Sequence, residues 1–486
     1  MTGILSSANA VVWGAPGLVL ILGIGVYLTL RLNFVQLRFL PGGFRTLRKT
    51  LRTEHNGVSS SQALCTALAA TVGTGNLVGV AGALCLGGPG SVFWMWICGL
   101  FGMATKYAEA ALAVRYRVKT ENGYSGGPMY VMLRGIGERF RPMAVLYSLF
   151  GIIAAFGVGN AAQISSAVSG IHAVFLRFGV SPTRLLDLLT GIVLAAILGT
   201  LLFGGAKTVG AAAQKLIPVA AAGYIGMCAA VLILRADRIP GALYSVFCGA
   251  FSPKAVTGGM IGSAFRALCI GCSRGVFTNE AGMGTASIAH ASAEGVTPAE
   301  QGMMGILEVF LDTIVICTLT ALTILVSGIP IPYGVDAGGE LTGQAFSGVL
   351  GPWASVAIGA FLVLFAVATV LGWGVYGGTC ATFLFGRRAW KWFCAIQIPV
   401  ILFSSVSDSA SVWLLSETVN GLMAIPNLIT LAILTPEVIR LTKDYTKSDG
   451  SAVSGGTYAD FHQCKPLRTL SYEKIPPSGR GCQEGG

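Results

Sequence analysis

Residues 70–79 read Ala70-Thr71-Val72-Gly73-Thr74-Gly75-Asn76-Leu77-Val78-Gly79, in the middle of an apolar run from about Ser61 to Leu86. A run of that length can cross a bilayer, since about 20 apolar residues span ~30 Å of hydrocarbon. Glycine and threonine nevertheless crowd the place where a spanning helix should be most regular, and glycine costs about 1 kcal/mol relative to alanine inside a helix. Backbone groups freed at membrane depth need partners in protein or in a wet cavity. A break here therefore makes a site. One half-helix end exposes N–H groups that suit an anion, and the other exposes carbonyls that suit a cation. The competing reading is that small residues let two helices pack closely.

Composition supports a membrane setting. The chain has 486 residues, 53% of them hydrophobic and only 11% charged, with a mean hydropathy of +0.72, whereas soluble domains carry about 25% charged residues. This excludes an ordinary soluble enzyme and points to an all-α polytopic membrane protein. The 67 glycines fit helix interfaces where backbones approach closely. The formal charge of +11 sits in short loops and the tail, where it sets orientation, so no nucleic-acid partner is read. The twelve cysteines are mostly scattered singly, as small hydrophobes, and the lone Cys269/Cys272 pair is read as packing rather than redox or metal chemistry. The first apolar run exceeds a signal-peptide core and lacks a basic lead, so no cleaved leader is expected.

Apolar runs between polar breaks give eleven expected spans, at roughly 10–32, 59–86, 90–114, 143–176, 184–203, 208–234, 257–290, 303–328, 350–385, 390–405 and 410–436. Basic residues concentrate after the first span (Arg31 to Arg52) and after the third (Arg115 to Arg141), which should be cytoplasmic. The stretch Ile329 to Val349 has none and should lie outside. The N-terminus is thus expected outside and the C-terminus in the cytoplasm of a plasma, here bacterial inner, membrane. A membrane transport domain over 1–441 is followed by a polar tail over 442–486, expected to be disordered because it cannot bury a core.

A second break is read in the seventh span, at Arg274-Gly275-Val276-Phe277-Thr278-Asn279-Glu280-Ala281-Gly282-Met283-Gly284-Thr285-Ala286. With the first span set aside, the two breaks fall in the first and sixth of ten spans. That is the placement expected of a five-plus-five inverted repeat with a midplane site between its halves.

Together with Gly87-Gly88-Pro89-Gly90, Phe93-Trp94-Met95-Trp96, Gly102-Met103-Ala104-Thr105-Lys106-Tyr107-Ala108-Glu109 and Gly126-Gly127-Pro128-Met129-Tyr130, these stretches resemble the alanine or glycine:cation symporter family, the sodium:alanine symporters. The resemblance runs from about Val12 to Arg440. It implies a LeuT-type fold with one added N-terminal helix, and a symporter that imports a small neutral amino acid, alanine (L or D) or glycine, with Na+ by alternating access. No organic cofactor is implied, and oligomeric state is not addressed. In such folds the substrate carboxylate meets backbone N–H groups around Gly73, Thr74, Gly75 and Asn76. The ammonium faces the second break, at Phe277, Thr278 and Asn279. Gln163 either bonds substrate or bridges helices, and Trp373 and Phe277 either wall the pocket or pack the core. The resemblance places Na+ on the carbonyls of Ala69 and Val72 and the hydroxyl of Thr369. Two departures from the family pattern bear on this. Ala368-Thr369 stands where two adjacent hydroxyls are expected, and Gly372-Trp373-Gly374-Val375-Tyr376-Gly377-Gly378 replaces Gly-Trp-Ser-Tyr-Tyr-Gly-Glu. They keep open a proton-coupled or glutamine-type carrier of the same fold; a non-transporting sensor is the reading from another class, and no enzyme is read.

Ionisable residues at membrane depth are functional suspects. Lys106 and Glu109, three apart, are expected to pair along one helix face, and Arg274 and Glu280 to flank the second break. Glu308 and Asp312 are read as solvated near the cytoplasmic interface, or as part of an exit path or proton switch.

Overall fold

The computed structural model describes residues 7, 9–52, 57–121, 123–251, 264–335, 338–407 and 410–451. Among these, nine helices are long and apolar enough to cross a bilayer, and the bent pair Ser60–Thr71 and Gly75–Gly87 makes a tenth. The eleventh expected span, in the seventh position, holds helices Ala264–Asn279 and Thr285–Ala291 on either side of a non-helical step; its first residues, 257–263, lie outside the described ones. Leaving out the N-terminal helix, the breaks occupy the first and sixth positions, as the sequence pattern requires.

In chain order, α1 (Ala15–Arg31) leads into α2 (Val35–Thr50), and α3 (Ser60–Thr71) with α4 (Val80–Gly87) forms the first broken span. Helix α5 (Gly90–Tyr116) precedes a small hairpin of β1 (Val118–Thr120) and β2 (Gly123–Ser125). Then come α6 (Arg141–Phe156) and α7 (Ala162–Arg177), which form one span, α8 (Arg184–Phe203), α9 (Gly205–Leu234) and α10 (Ile239–Phe251). The second broken span is α11 (Ala264–Asn279) and α12 (Thr285–Ala291). Helices α13 (Pro298–Val309) and α14 (Thr318–Ser327) make another span, followed by α15 (Gly338–Leu350), α16 (Ala354–Phe385), α17 (Ala389–Val406) and α18 (Ala410–Ser451).

Several local features depart from the reading by hydropathy. The basic stretch after the first span is not plain loop but α2, and the acidic stretch before Val349 contains α15; amphipathic surface helices average out in a hydropathy window. Helix α18 runs to Ser451, past the expected start of the polar tail, and the rest of that tail, 452–486, lies outside the described residues. Helix α13 starts at Pro298 rather than near 303, because Thr297 and Glu300 form a capping box: Thr297 Oγ1 accepts from the Glu300 N–H at 3.2 Å and Glu300 Oε2 from the Thr297 N–H at 2.9 Å. Ser59 and Gln62 cap α3 in the same way.

Small residues let the helices touch along their backbones. A methyl added at Gly305 of α13 would stand 2.9 Å from the Lys106 carbonyl oxygen of α5, and one at Gly372 of α16 would stand 2.7 Å from the Ala70 nitrogen of α3. The second contact seats α16 directly against the first break. Cys272 faces the backbone of Trp94 at 3.8 Å, and its own carbonyl accepts from Cys98 at 3.7 Å, so this member of the Cys269/Cys272 pair sits in helix packing.

Candidate functional site

Helix α3 ends at Thr71, the next residue, Val72, is extended at φ −76° and ψ 92°, and the chain resumes as a wide π-type turn over Gly75–Gly79. The bonding around this step explains what is freed. In an unbroken helix the Ala69 carbonyl would accept from the Gly73 N–H, and the Val72 carbonyl from the Asn76 N–H. Here the Gly73 N–H donates to Asn76 Oδ1 at 2.9 Å, and the Asn76 N–H donates to the Gly73 carbonyl at 3.2 Å. The carbonyls of Ala69 and Val72 thereby lose their helical donors. Thr369 stands at the same step: a methyl on Gly73 would be 2.5 Å from its Oγ1. That hydroxyl donates to the Phe365 carbonyl at 2.9 Å, which leaves its lone pairs as acceptors. Ala368, fully buried next in sequence, offers only a methyl.

The polar side chains of the step are held by neighbouring helices. Asn76 Nδ2 donates to Asp312 Oδ1 at 2.7 Å, and Thr74 Oγ1 donates to Gln163 Oε1 at 2.8 Å. Gln163 Nε2 donates in turn to the Val158 carbonyl at 3.1 Å, inside a second π-type turn at Gly157–Ala161. Asp312 lies in a third, at Phe310–Cys317. Such turns recur at functional sites because they leave backbone groups off register. Asn76, expected to face substrate, spends its amide inside the protein, and Gln163 bridges helices.

The second break faces the first. A methyl on Gly75 would stand 3.6 Å from Thr278 Cγ2 and 3.9 Å from the Phe277 ring. Asn279 ends α11, and its side chain ties the end down: Nδ2 donates to Thr313 Oγ1 at 3.1 Å and Oδ1 accepts from the Ala281 N–H at 3.0 Å. Glu280 takes a left-handed φ of 53°, a conformation that costs a non-glycine residue energy and persists where surroundings impose it. Its carboxylate accepts from Thr285 Oγ1 at 2.5 Å. Trp373 is buried, packed edge to face on Tyr376 with ring centroids 5.6 Å apart, and a methyl on Gly159 would collide with it at 2.3 Å. Gly73, Gly75, Phe277 and Thr278 thus come together between the breaks, with Thr369 against Gly73.

Two expected arrangements are corrected. Lys106 and Glu109 do not pair along their helix. Glu109 Oε1 receives the Gly282 and Gly284 N–H groups at 2.9 and 3.1 Å and Asn427 Nδ2 at 2.7 Å, pinning the second break to α5 and α18. Lys106 Nζ instead lies 3.3 Å from Glu308 Oε1. Glu308 and Asp312 are not solvated: both are fully buried. Glu308 Oε2 bonds His290 Nε2 at 2.9 Å, His290 Nδ1 meets Gln301 Nε2 at 2.6 Å, and Gln301 Oε1 accepts from Ser60 Oγ at 2.6 Å. This chain ties α12 to the start of α3 through α13. No local pattern announces His290, Gln301 or Ser60 as partners, since they are far apart in sequence.

The sodium:alanine symporter family model matches residues 1–456. The chain is 40% identical over 451 residues to the sodium/alanine symporter AgcS of Methanococcus maripaludis, covering 91% of this chain and 97% of that one. It is 37% identical over 461 residues to a Bacillus subtilis protein named a probable sodium/glutamine symporter, GlnT, covering 94% and 93%. In fold it is similar to the crystal structure of MhsT in complex with L-phenylalanine, at TM-score 0.58 and 13% identity over 80% of this chain and 99% of that one. This likeness at low identity speaks to the fold alone, a LeuT-type one. The chain belongs to the sodium:alanine symporter family.

Proposed function

We propose that the protein imports a small neutral amino acid, alanine or glycine, together with Na+. The observation that carries this reading is the pair of carbonyls, Ala69 and Val72, stripped of their helical donors beside the Thr369 hydroxyl. Oxygen ligands of this kind suit a hard cation. Na+ is held there; the substrate carboxylate is received by N–H groups at Thr74 and Gly75, where the second helical piece begins and backbone donors lack intrahelical acceptors. The ammonium faces the carbonyl end of α11 at Thr278 and Asn279, where the helix dipole is negative. Phe277 and Trp373 limit side-chain size, while Asn76 and Gln163 position the first break rather than touch substrate. Gly75 lies so close to Thr278 that the halves must part to admit substrate, which fits rocking of one bundle against another. Protein N-terminus outside and C-terminus inside is the orientation supported by the basic loops.

The driving force is external. At −100 mV one positive charge moving inward gains about 2.3 kcal/mol, enough for roughly forty-fold accumulation.

One observation favours a second reading, coupling to protons: Glu280 and Asp312 are buried at the two breaks, each within hydrogen-bonding distance of neutral side chains. Uptake of labelled alanine into proteoliposomes separates the two. Uptake driven by an imposed Na+ gradient, abolished by Thr369→Ala and competed by glycine, is the expected result. Uptake driven by a proton gradient alone overturns sodium coupling, and competition by glutamine but not by glycine overturns the small-substrate assignment.

A further inference from the structure

Helix α2 divides lengthwise into three stripes. Val35, Gly43, Thr46 and Thr50 are buried against the protein. At about 100° per residue, the next stripe holds Leu37, Phe44 and, one residue past the helix, Leu51, exposed by 59%, 46% and 61%. The third holds Arg38, Arg45 and Arg48, all exposed and without a carboxylate partner among the described residues. A helix buried on one side is normally polar over the remainder; this one presents apolar and cationic strips side by side.

Its depth is set by its neighbour. The apolar helix at Asn9–Arg31 has 23 residues, or about 35 Å at 1.5 Å per residue, so its end at Arg31 reaches the edge of a ~30 Å hydrocarbon layer. Only Leu32, Asn33 and Phe34 separate it from α2; Asn33 and Phe34 take left-handed φ of 51° and 53°, and Gln36 Nε2 donates back to Thr29 Oγ1 at 3.1 Å. The helix therefore starts at headgroup level. Its facing is fixed as well, because a methyl on Gly43 would stand 2.8 Å from the Met303 carbonyl oxygen. Exposed apolar residues of α1, such as Tyr27 and Leu30, carry the lipid-facing surface up to the same boundary.

We propose that α2 is an interfacial helix that binds acidic phospholipid headgroups through Arg38, Arg45 and Arg48, with Leu37, Phe44 and Leu51 set among the upper acyl carbons. Apolar area gives membrane contact of any lipid type, and the cationic strip selects the acidic ones. Each basic residue at an acidic surface contributes about a fivefold preference. Three together give a preference on the order of a hundredfold.

The test uses the full-length protein in detergent, titrated with an equimolar mixture of phosphatidylglycerol and phosphatidylcholine, with bound lipid counted by native mass spectrometry. The readout is independent of transport, so it stands whether or not the sodium reading survives. The wild type should retain phosphatidylglycerol preferentially. The triple variant R38Q/R45Q/R48Q should lose most of that preference, whereas R177Q/R184Q/R235Q, which removes as much charge elsewhere, should keep it. Equal retention of the two lipids by the wild type, an unchanged preference in the α2 variant, or an equal loss in the control variant overturns the proposal. So does displacement of the lipid by millimolar inorganic phosphate, which would mean that the strip holds a free anion rather than a bilayer surface.

Discussion

Replacing Glu308 by leucine should be among the most damaging single changes in the membrane core, and replacing Lys106 at the same time should restore much of the loss. The two side chains are 1% and 0% exposed, and Lys106 Nζ lies 3.3 Å from Glu308 Oε1, long for a charge-assisted hydrogen bond, whose N to O distance is about 2.7–2.9 Å. The contact is thus an ion pair held by geometry around it rather than a tight bond. Glu308→Leu leaves the lysine charge buried without a counter-ion, which costs about 3–5 kcal/mol. Lys106→Met costs less, because Glu308 Oε2 keeps its hydrogen bond to His290 Nε2 at 2.9 Å. In the double variant no charge is stranded. What remains is the orphaned His290 nitrogen, worth about 1–3 kcal/mol, so the double variant should be more stable than Glu308→Leu alone, with a coupling of about 2 kcal/mol or more. Reversible denaturant unfolding of the four proteins of the cycle in one detergent measures this directly. Since the pair is shielded from solvent, the coupling should barely change between low and high salt. Single effects that add within about 0.5 kcal/mol would refute the reasoning, as would a coupling that vanishes in salt.

Two further outcomes follow from the breaks themselves. Gly73→Ala places a methyl 2.5 Å from Thr369 Oγ1, whereas Gly75→Ala meets nothing closer than 3.6 Å; the first should abolish stabilisation by Na+ in a thermal-shift assay, and the second should preserve that stabilisation while blocking alanine uptake. Glu109→Leu strands the three donors now on Oε1, the N–H groups of Gly282 and Gly284 and the Asn427 amide, for a loss of several kcal/mol at about 1–3 kcal/mol each. Glu109→Gln keeps an acceptor oxygen and should cost clearly less in the same unfolding assay.

The order of the spans, and the place of both breaks, were legible in the amino-acid sequence because they rest on local properties. Apolar run length decides what crosses a bilayer, and glycine-rich interruptions such as Gly73-Thr74-Gly75 and Gly282-Met283-Gly284 decide where a helix cannot continue. The capping pair Thr297 and Glu300 sets the start of α13 and is equally local, but a reading by hydropathy passes over it. Hydropathy missed α2 because a helix with a buried, an apolar and a cationic stripe averages to an unremarkable loop. What only the tertiary structure decided is which polar groups meet. Asn76 finds Asp312 across 236 residues, and Ser60 finds Gln301 across 241. Lys106 passes over Glu109, one turn away on its own helix, for Glu308 on α13. The reason is physical: a charge buried in hydrocarbon must be matched by whatever partner the helix packing brings within reach. That packing is set by close backbone approaches such as Gly305 on Lys106, which no single segment encodes.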